Sequence, residues 1–264
     1  MRTLRTLPAL FKVGFVSALA YRAEFLVWML TSTLPLIMLP LWHAVAEQAP
    51  LAGFSQGRFT AYFFTGFIVR QLVGNWASWT INYEVRSGAL SQRLLRPIHP
   101  IWFYATESLA SIPLRSAFAF PAAVIALLVT DTSNLAHDAR LWAMVPVAIF
   151  GAWAIGFFAH VAIGALSLWM HQSIKVVEIW SAGFFVFSGY LVPIAVFPRW
   201  LQSSPHWMPF EYMHGFPIDL ITGALSVEQA TRSLGAQWCW VGILGLVTVA
   251  LWDRGLRRYG AFGG

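Results

Sequence analysis

Charge is what this sequence has least of. Asp, Glu, Lys and Arg together make up 11% of its 264 residues, against about 25% in an ordinary soluble domain, which argues against a soluble enzyme. Lysine occurs only at Lys12 and Lys175. Neither follows the glycine run of a G-x-x-x-x-G-K-[ST] loop, so the chain cannot cradle ATP phosphates in that way. Its one cysteine, Cys239, lies inside an apolar run, which excludes a disulfide framework and a cysteine-based metal site. The net charge of +6 would point to nucleic acid in a soluble protein. Here most of the positive residues flank apolar runs, so nucleic-acid binding is not supported. What the chain does have is apolar surface: 58% hydrophobic residues, 14 of the 264 being Trp.

A membrane-crossing helix needs about 20 mainly apolar residues, because each adds about 1.5 Å across a core of about 30 Å. Six stretches meet this: 25–44, 59–81, 101–129, 141–170, 176–197 and 236–252. They are continuously apolar rather than alternating, and backbone polar groups cannot stay unpaired in lipid, so helices are expected and a barrel is excluded. Counting Lys and Arg between the spans places eleven on the side of both termini and four on the other, which sets both termini in the cytoplasm. Ala44-Val45-Ala46 has the form of a signal-peptide cleavage site. The apolar run before it is longer than a signal sequence and begins only after some two dozen residues, so it reads as a true span.

Two flanking segments carry their own patterns. Within residues 1–22, Leu4, Leu7, Phe11 and Phe15 recur at helical steps while Arg2, Arg5 and Lys12 lie off that stripe. This is the pattern of an interfacial helix with a basic face; the alternative is an ordinary basic terminus. Residues 82–100 combine Glu84, Arg86, Arg93 and Arg96 with Leu90, Leu94 and Leu95. Leu90 and Leu94 fall on one face, Arg86 and Arg93 on another, and Pro97 and Pro100 end the helix. Such a helix either rests on lipid phosphates or docks on a soluble partner.

The run from Glu84 through Arg86, Gly88 and Leu90, followed by Leu94-Leu95-Arg96-Pro97-Ile98, resembles the cytoplasmic coupling segment of ABC type-2 exporter permeases. So does Ser188-Gly189-Tyr190-Leu191-Val192-Pro193 with Phe197-Pro198 and Pro209. The order of segments is similar along nearly the whole chain, most of all to a bacterial branch that pairs two permeases with one ATPase. The resemblance implies a single all-α integral membrane permease domain over residues 1–264. Its parts are six transmembrane helices, an N-terminal interfacial helix, a coupling helix in 82–100 and short outer-leaflet helices in 198–235. It further implies an exporter subunit in the bacterial cytoplasmic membrane, with a second permease and an ABC ATPase as partners and ATP and Mg held by that ATPase. Glu84, Arg86, Gly88, Leu90, Arg93, Leu94 and Arg96 would couple to it. Ser188, Gly189, Tyr190 and Pro193 would belong to an outer gate.

Polar residues inside the spans are the remaining candidates. Gln71, Asn75, Ser78 and Asn82 fall within about 60° of one another on a continuous helix, facing either a hydrated path or neighbouring helices. Arg70 and Arg115 sit near the middle of their spans, where an unpaired charge costs about 2.5–3.5 kcal/mol on insertion scales. Glu107, eight residues before Arg115, is the expected partner for Arg115 or for Arg70. These charges form either a structural ion pair or part of the path. Ala148, Ala152, Gly156, His160 and Gly164 make a small-residue ridge for close helix packing, with His160 a packing residue and no metal site expected.

Two other function classes compete. An intramembrane enzyme lacks support from any H-E-x-x-H motif or pair of intramembrane carboxylates, and a gradient-driven carrier would show inverted repeats, which are absent. The aromatic residues Trp76, Trp79 and Tyr83 leave two substrate classes open: flat or cationic amphiphiles, through ring contacts, and lipid-like compounds.

Overall fold

The computed structural model describes residues 8, 11–16, 30, 32–48, 53–170 and 173–259. Among them helix accounts for almost all regular structure and no strand occurs, so the barrel is excluded on structure as well. The helices are α1 (Leu34–Gln48), α2 (Gln56–Val73), α3 (Ala77–Ser87), α4 (Leu90–Leu94), α5 (Pro100–Ala110) and α6 (Ile112–Val129). They continue with α7 (Ala139–Ala165), α8 (Ile174–Phe187), α9 (Pro209–Met213), α10 (Gly215–Ile221) and α11 (Val227–Leu256). Three stretches are long and apolar enough to cross a membrane: Pro100–Val129, Ala139–Leu168 and Val227–Leu256.

The centre of the fold is α7. Half of its most apolar window is buried, against 11% for the windows of α5–α6 and α11, so the latter turn most of their apolar surface outward. α11 packs against α7, as do α3, α2, α9 and α10. The predicted ridge explains the close approach. At Gly156 an added Cβ would lie 3.3 Å from Met213 Cε, and at Gly164 it would lie 2.9 Å from Ile81. Larger residues there would push the helices apart. Buried Gln237 of α11 ties two backbones together, donating from Nε2 to the carbonyls of Ala148 (2.9 Å) and Tyr212 (2.8 Å).

Several boundaries differ from the sequence reading. The second apolar run is two helices, because residues 74–76 are extended or turn-like and α3 starts afresh at Ala77. Gln71, Asn75, Ser78 and Asn82 therefore do not form a stripe on one helix. The third run is interrupted at Ser111, just ahead of Pro113, and divides there into α5 and α6. The fifth run ends as helix at Phe187, ten residues early, because Gly189 adopts φ +80 and turns the chain. At 14 residues, α8 spans only about 21 Å. The last helix begins at Val227 rather than residue 236. Ser226 and Gln229 form a capping box there, the Gln229 amide donating to Ser226 Oγ at 3.2 Å and the Ser226 amide to Gln229 Oε1 at 2.9 Å; local capping thus overrides the low hydropathy of residues 227–235.

Of the expected interfacial helix, residues 11–16 are helical and Gly14 lies close to Glu107 and Ala110 of α5. Leu4 and Leu7 lie outside the described residues, as do 25–29 of the first run.

Substituting Gly164→Val is expected to overpack the α7–α3 contact and destabilise the fold by about 1–3 kcal/mol. The melting temperature in detergent, compared with a Gly164→Ala variant of intermediate size, measures it.

Candidate functional site

Three groups of predicted residues come together at three places. The first is the connection between α3 and α5. Gly88, at φ +77, caps α3 in the left-handed conformation, and its amide donates to the Val85 carbonyl at 3.4 Å. Glycine enters this region without the steric penalty of a Cβ. The five-residue α4 follows, ending at Leu94, and Pro100 opens α5 at its first turn rather than ending α4. Because Gly88 interrupts the helix, Arg86 and Arg93 do not share a face. Arg86 is exposed, whereas Arg93 turns inward. Leu90 is fully buried while Leu94 and Leu95 are exposed, Leu95 at 87%.

Arg93 is the hub of a clasp. Its Nε donates to Glu84 Oε1 at 2.6 Å and its Nη2 to Glu107 Oε1 at 3.0 Å. Tyr104 donates its hydroxyl to Glu84 Oε2 at 2.6 Å, and the guanidinium stands 4.9 Å from the Tyr104 ring centroid. Burial works against the Arg93 charge, yet Glu107, Glu84 and Tyr104 outweigh it and hold the pKa above the usual arginine value. The clasp locks α3, α4 and α5 into one unit. It also corrects an expectation: Glu107 pairs with Arg93, not with Arg115 or Arg70, because the chain reversal at Gly88 brings the connection back over α5. Tyr104 was not singled out from sequence. Its separation from Glu84 by 20 residues matches no helical period. Of the predicted coupling residues, those exposed on this connection are Arg86, Leu94 and Arg96, with Leu95 beside them.

The second place is a cavity of about 320 Å³ at the α2–α3 break, lined by Arg70, Gln71, Asn75, Arg115, His160 and Tyr190 among others. Arg115 is 1% exposed and forms no ion pair with any of the described residues. Its Nη1 donates to the Gly74 carbonyl at 2.6 Å, its Nη2 to Ser111 Oγ at 2.6 Å and to the Ser108 carbonyl at 3.2 Å. Its guanidinium also lies 4.9 Å from the Trp76 ring. The arginine thus caps a carbonyl that the helix break has released, a group lipid could not satisfy. Arg70 stacks on Phe184 (5.0 Å) and Tyr190 (5.7 Å). The former stripe members go to separate partners. Gln71 donates to Ser32 Oγ (2.6 Å), Ser78 shares a hydrogen bond with His160 Nδ1 (2.8 Å), and Asn82 donates to Ser173 Oγ (2.7 Å).

The third place is the turn after α8. Tyr62 of α2 donates its hydroxyl to the Gly189 carbonyl at 2.8 Å, and Trp42 of α1 donates to the Leu191 carbonyl at 3.0 Å. The Gly215 amide donates to the Ser188 carbonyl at 2.9 Å, and Tyr190 packs edge-on against buried His214 at 5.1 Å. A Cβ at Gly189 would collide with the Tyr62 hydroxyl. Ser188, Gly189, Tyr190 and Pro193 are all buried, so the turn is a joint between α1, α2, α8 and α10 and not a free loop. Tyr62, Trp42 and His214 complete it, and only their tertiary contacts reveal them. Beyond it, His206 Nδ1 lies 2.6 Å from Glu211 Oε2, and Glu211 raises the His206 pKa through this hydrogen bond.

One pentapeptide, Gly53-Phe54-Ser55-Gln56-Gly57, has the letters of a G-x-S-x-G nucleophile motif. Ser55 instead caps α2, accepting from the Arg58 amide at 3.3 Å. The nearby His43 is engaged with Thr60 at 2.9 Å, so the hydrolase geometry is not formed.

Residues 26–263 match the sequence model of a family described as ABC-2 family transporter protein. No curated protein matches the chain.

Removing Arg93 leaves Glu84 buried without its cation, so Arg93→Ala is expected to cost about 2–4 kcal/mol. Glu107→Gln, at a more exposed carboxylate, costs under about 1 kcal/mol; equilibrium unfolding compares them. The His206–Glu211 pair stabilises the protonated histidine, so its contribution is complete below about pH 6.5, the unfolded value. It is lost as pH rises through the higher folded value. The difference in melting temperature between the native chain and His206→Gln is therefore expected to be largest near about pH 5 and gone by about pH 9.

Proposed function

The chain belongs to the ABC-2 transporter family, and from that premise we propose that it is one of two permease subunits of an ATP-driven exporter. As a family member it is an integral membrane protein, the membrane component of an ABC transporter, and associates with a separate ABC ATPase. In our reading the chain crosses the bacterial cytoplasmic membrane six times, through α1, α2–α3, α5–α6, α7, α8 and α11. Both termini face the cytoplasm, in keeping with the arginine distribution. α9 and α10 fold back on the outer side and complete the crossing that α8 is too short to finish. A second permease, identical or homologous, faces this one across the path, and membrane lipids surround both. ATP and Mg bind the ATPase, not this chain.

The observation that carries this reading is the connection between α3 and α5. A clasp through Arg93 ties it rigidly to both spans, while Arg86, Leu94, Leu95 and Arg96 are left exposed on it. Exposed leucines beside arginines fit a protein surface that excludes water at its centre and pairs acidic groups at its rim. A segment braced on two helices transmits displacement, where a flexible loop would absorb it. Gly88 and Leu90 serve this arrangement from within, one as the turn and the other as the buried anchor. Of the two substrate classes left open by the sequence, the arginines of the cavity favour the lipid-like one over the cationic one.

In the double variant Arg86→Glu, Leu95→Asp, both altered side chains are exposed in the free permease. Its melting temperature should stay unchanged, while affinity for the ATPase falls by about tenfold or more. Co-purification of the ATPase and ATP hydrolysis by the reconstituted complex are the readouts. Undiminished docking would remove the assignment of this connection.

A further inference from the structure

The arginine-lined cavity has an apolar neighbour. Between α1, α2 and α6 runs a groove of about 590 Å³, lined by Leu36, Phe67, Phe118, Pro121 and Ile125 among others. The two spaces share their helices and meet residue by residue. Ser32 of the cavity precedes Thr33 of the groove, Gln71 lies one turn from Phe67, and Arg115 lies one turn from Phe118. Phe67 and Phe118 meet across the seam with ring centroids 6.2 Å apart.

The cavity is a collection of donors short of acceptors. Arg115 Nε and Asn75 Nδ2 are buried without a hydrogen-bond partner, and the other end of the Asn75 amide is fixed by accepting from the Ala77 amide at 3.3 Å. Arg70 adds a second guanidinium. Among the described residues neither arginine has a carboxylate in ion-pair range. The one carboxylate on the lining, Glu178, is engaged by Lys175 at 3.0 Å. Two positive charges with no carboxylate partner among the described residues raise each other's energy in a poorly polarisable site and favour an anion by the same electrostatics. Unpartnered buried donors favour a head rich in acceptor oxygens.

We propose that cavity and groove together bind one anionic amphiphile. Its phosphate or carboxylate head sits on Arg70, Arg115 and Asn75, and its tail lies in the groove between α1, α2 and α6. In the topology above, Arg70 and Arg115 lie near the middle of their spans and the groove residues Phe67, Phe118, Pro121 and Ile125 lie on the outer side of them. The head is therefore held near mid-depth, with the tail extending toward the outer side. The assignment of this molecule as the transported substrate rests on the exporter reading; the binding geometry does not.

The test uses the full chain with its ATPase in nanodiscs of zwitterionic lipid, with radiolabelled dodecyl phosphate as probe and empty nanodiscs to subtract partitioning. Saturable binding is expected, competed by dodecanoate but not by equal concentrations of inorganic phosphate or dodecyltrimethylammonium. Arg70→Gln should weaken binding by about tenfold or more, and Arg70→Lys, which keeps the charge, should recover most of it. Ala122→Phe, which fills the groove, should weaken it without any change at an arginine. If Arg70→Gln does not fold, Arg70→Lys and Ala122→Phe still decide the matter. Equal competition by the cation overturns the proposal, as does equal competition by inorganic phosphate, which would leave the tail without a role. So does unchanged binding in the folded Arg70→Gln and Ala122→Phe variants. Co-purified ATPase is quantified on the same samples. Lost probe binding with the ATPase attached sinks this inference alone, whereas intact binding without ATPase sinks the docking assignment.

Discussion

A backbone carbonyl released by a break between helices must find a donor elsewhere in the fold, and much of this molecule is arranged around one such group. The second apolar stretch stops being helical at residues 74–76, and the Gly74 carbonyl is taken up by Arg115 from α6. Glycine at that point leaves room for the guanidinium: an added Cβ would lie 2.5 Å from the arginine nitrogen, which would have to shift. One interaction therefore satisfies the backbone, holds α6 against α2 and places a buried cation beside a cavity. Beyond the break, α3 packs Ile81 against α7 opposite Gly164.

The two joints, at the α3–α5 connection and at the turn after α8, are built differently. At the α3–α5 connection, charged side chains do the joining. Glu84, Arg93 and Glu107 form a compact array that keeps its geometry because Tyr104 and Leu90 pack beneath it. At the turn after α8 the joining is done by backbone carbonyls accepting from Tyr62, Trp42 and the Gly215 amide. In the exporter we propose, a charge clasp would suit a lever that moves as one piece. Single neutral hydrogen bonds, each worth about 1 kcal/mol, would suit a joint that opens.

Much of the fold was legible in advance. Apolar length located the third and fourth runs as membrane-capable helices, although it did not show the division of the third at Ser111. The ridge of Ala148, Ala152, Gly156 and Gly164 was legible because a four-residue period of small side chains has one physical use between helices. The breaks at 74–76 and at Gly189 were not. Hydropathy averages over a window and cannot see a carbonyl whose acceptor role is filled from another helix. The start of α11 was missed for a related reason, since the Ser226–Gln229 capping box acts on a stretch whose hydropathy is unremarkable.

Composition alone decided that the chain is a membrane protein with helices and without a phosphate loop, because scarcity of charge and the lack of a glycine–lysine motif need no partner to be read. The pairing of its charges was decided by tertiary structure. Glu107 answers to Arg93 and Arg115 answers to a backbone carbonyl because a left-handed glycine at position 88 and an interrupted helix at 74–76 bring together groups far apart along the chain. Spacing along a straight helix predicts neighbours only while the helix stays straight.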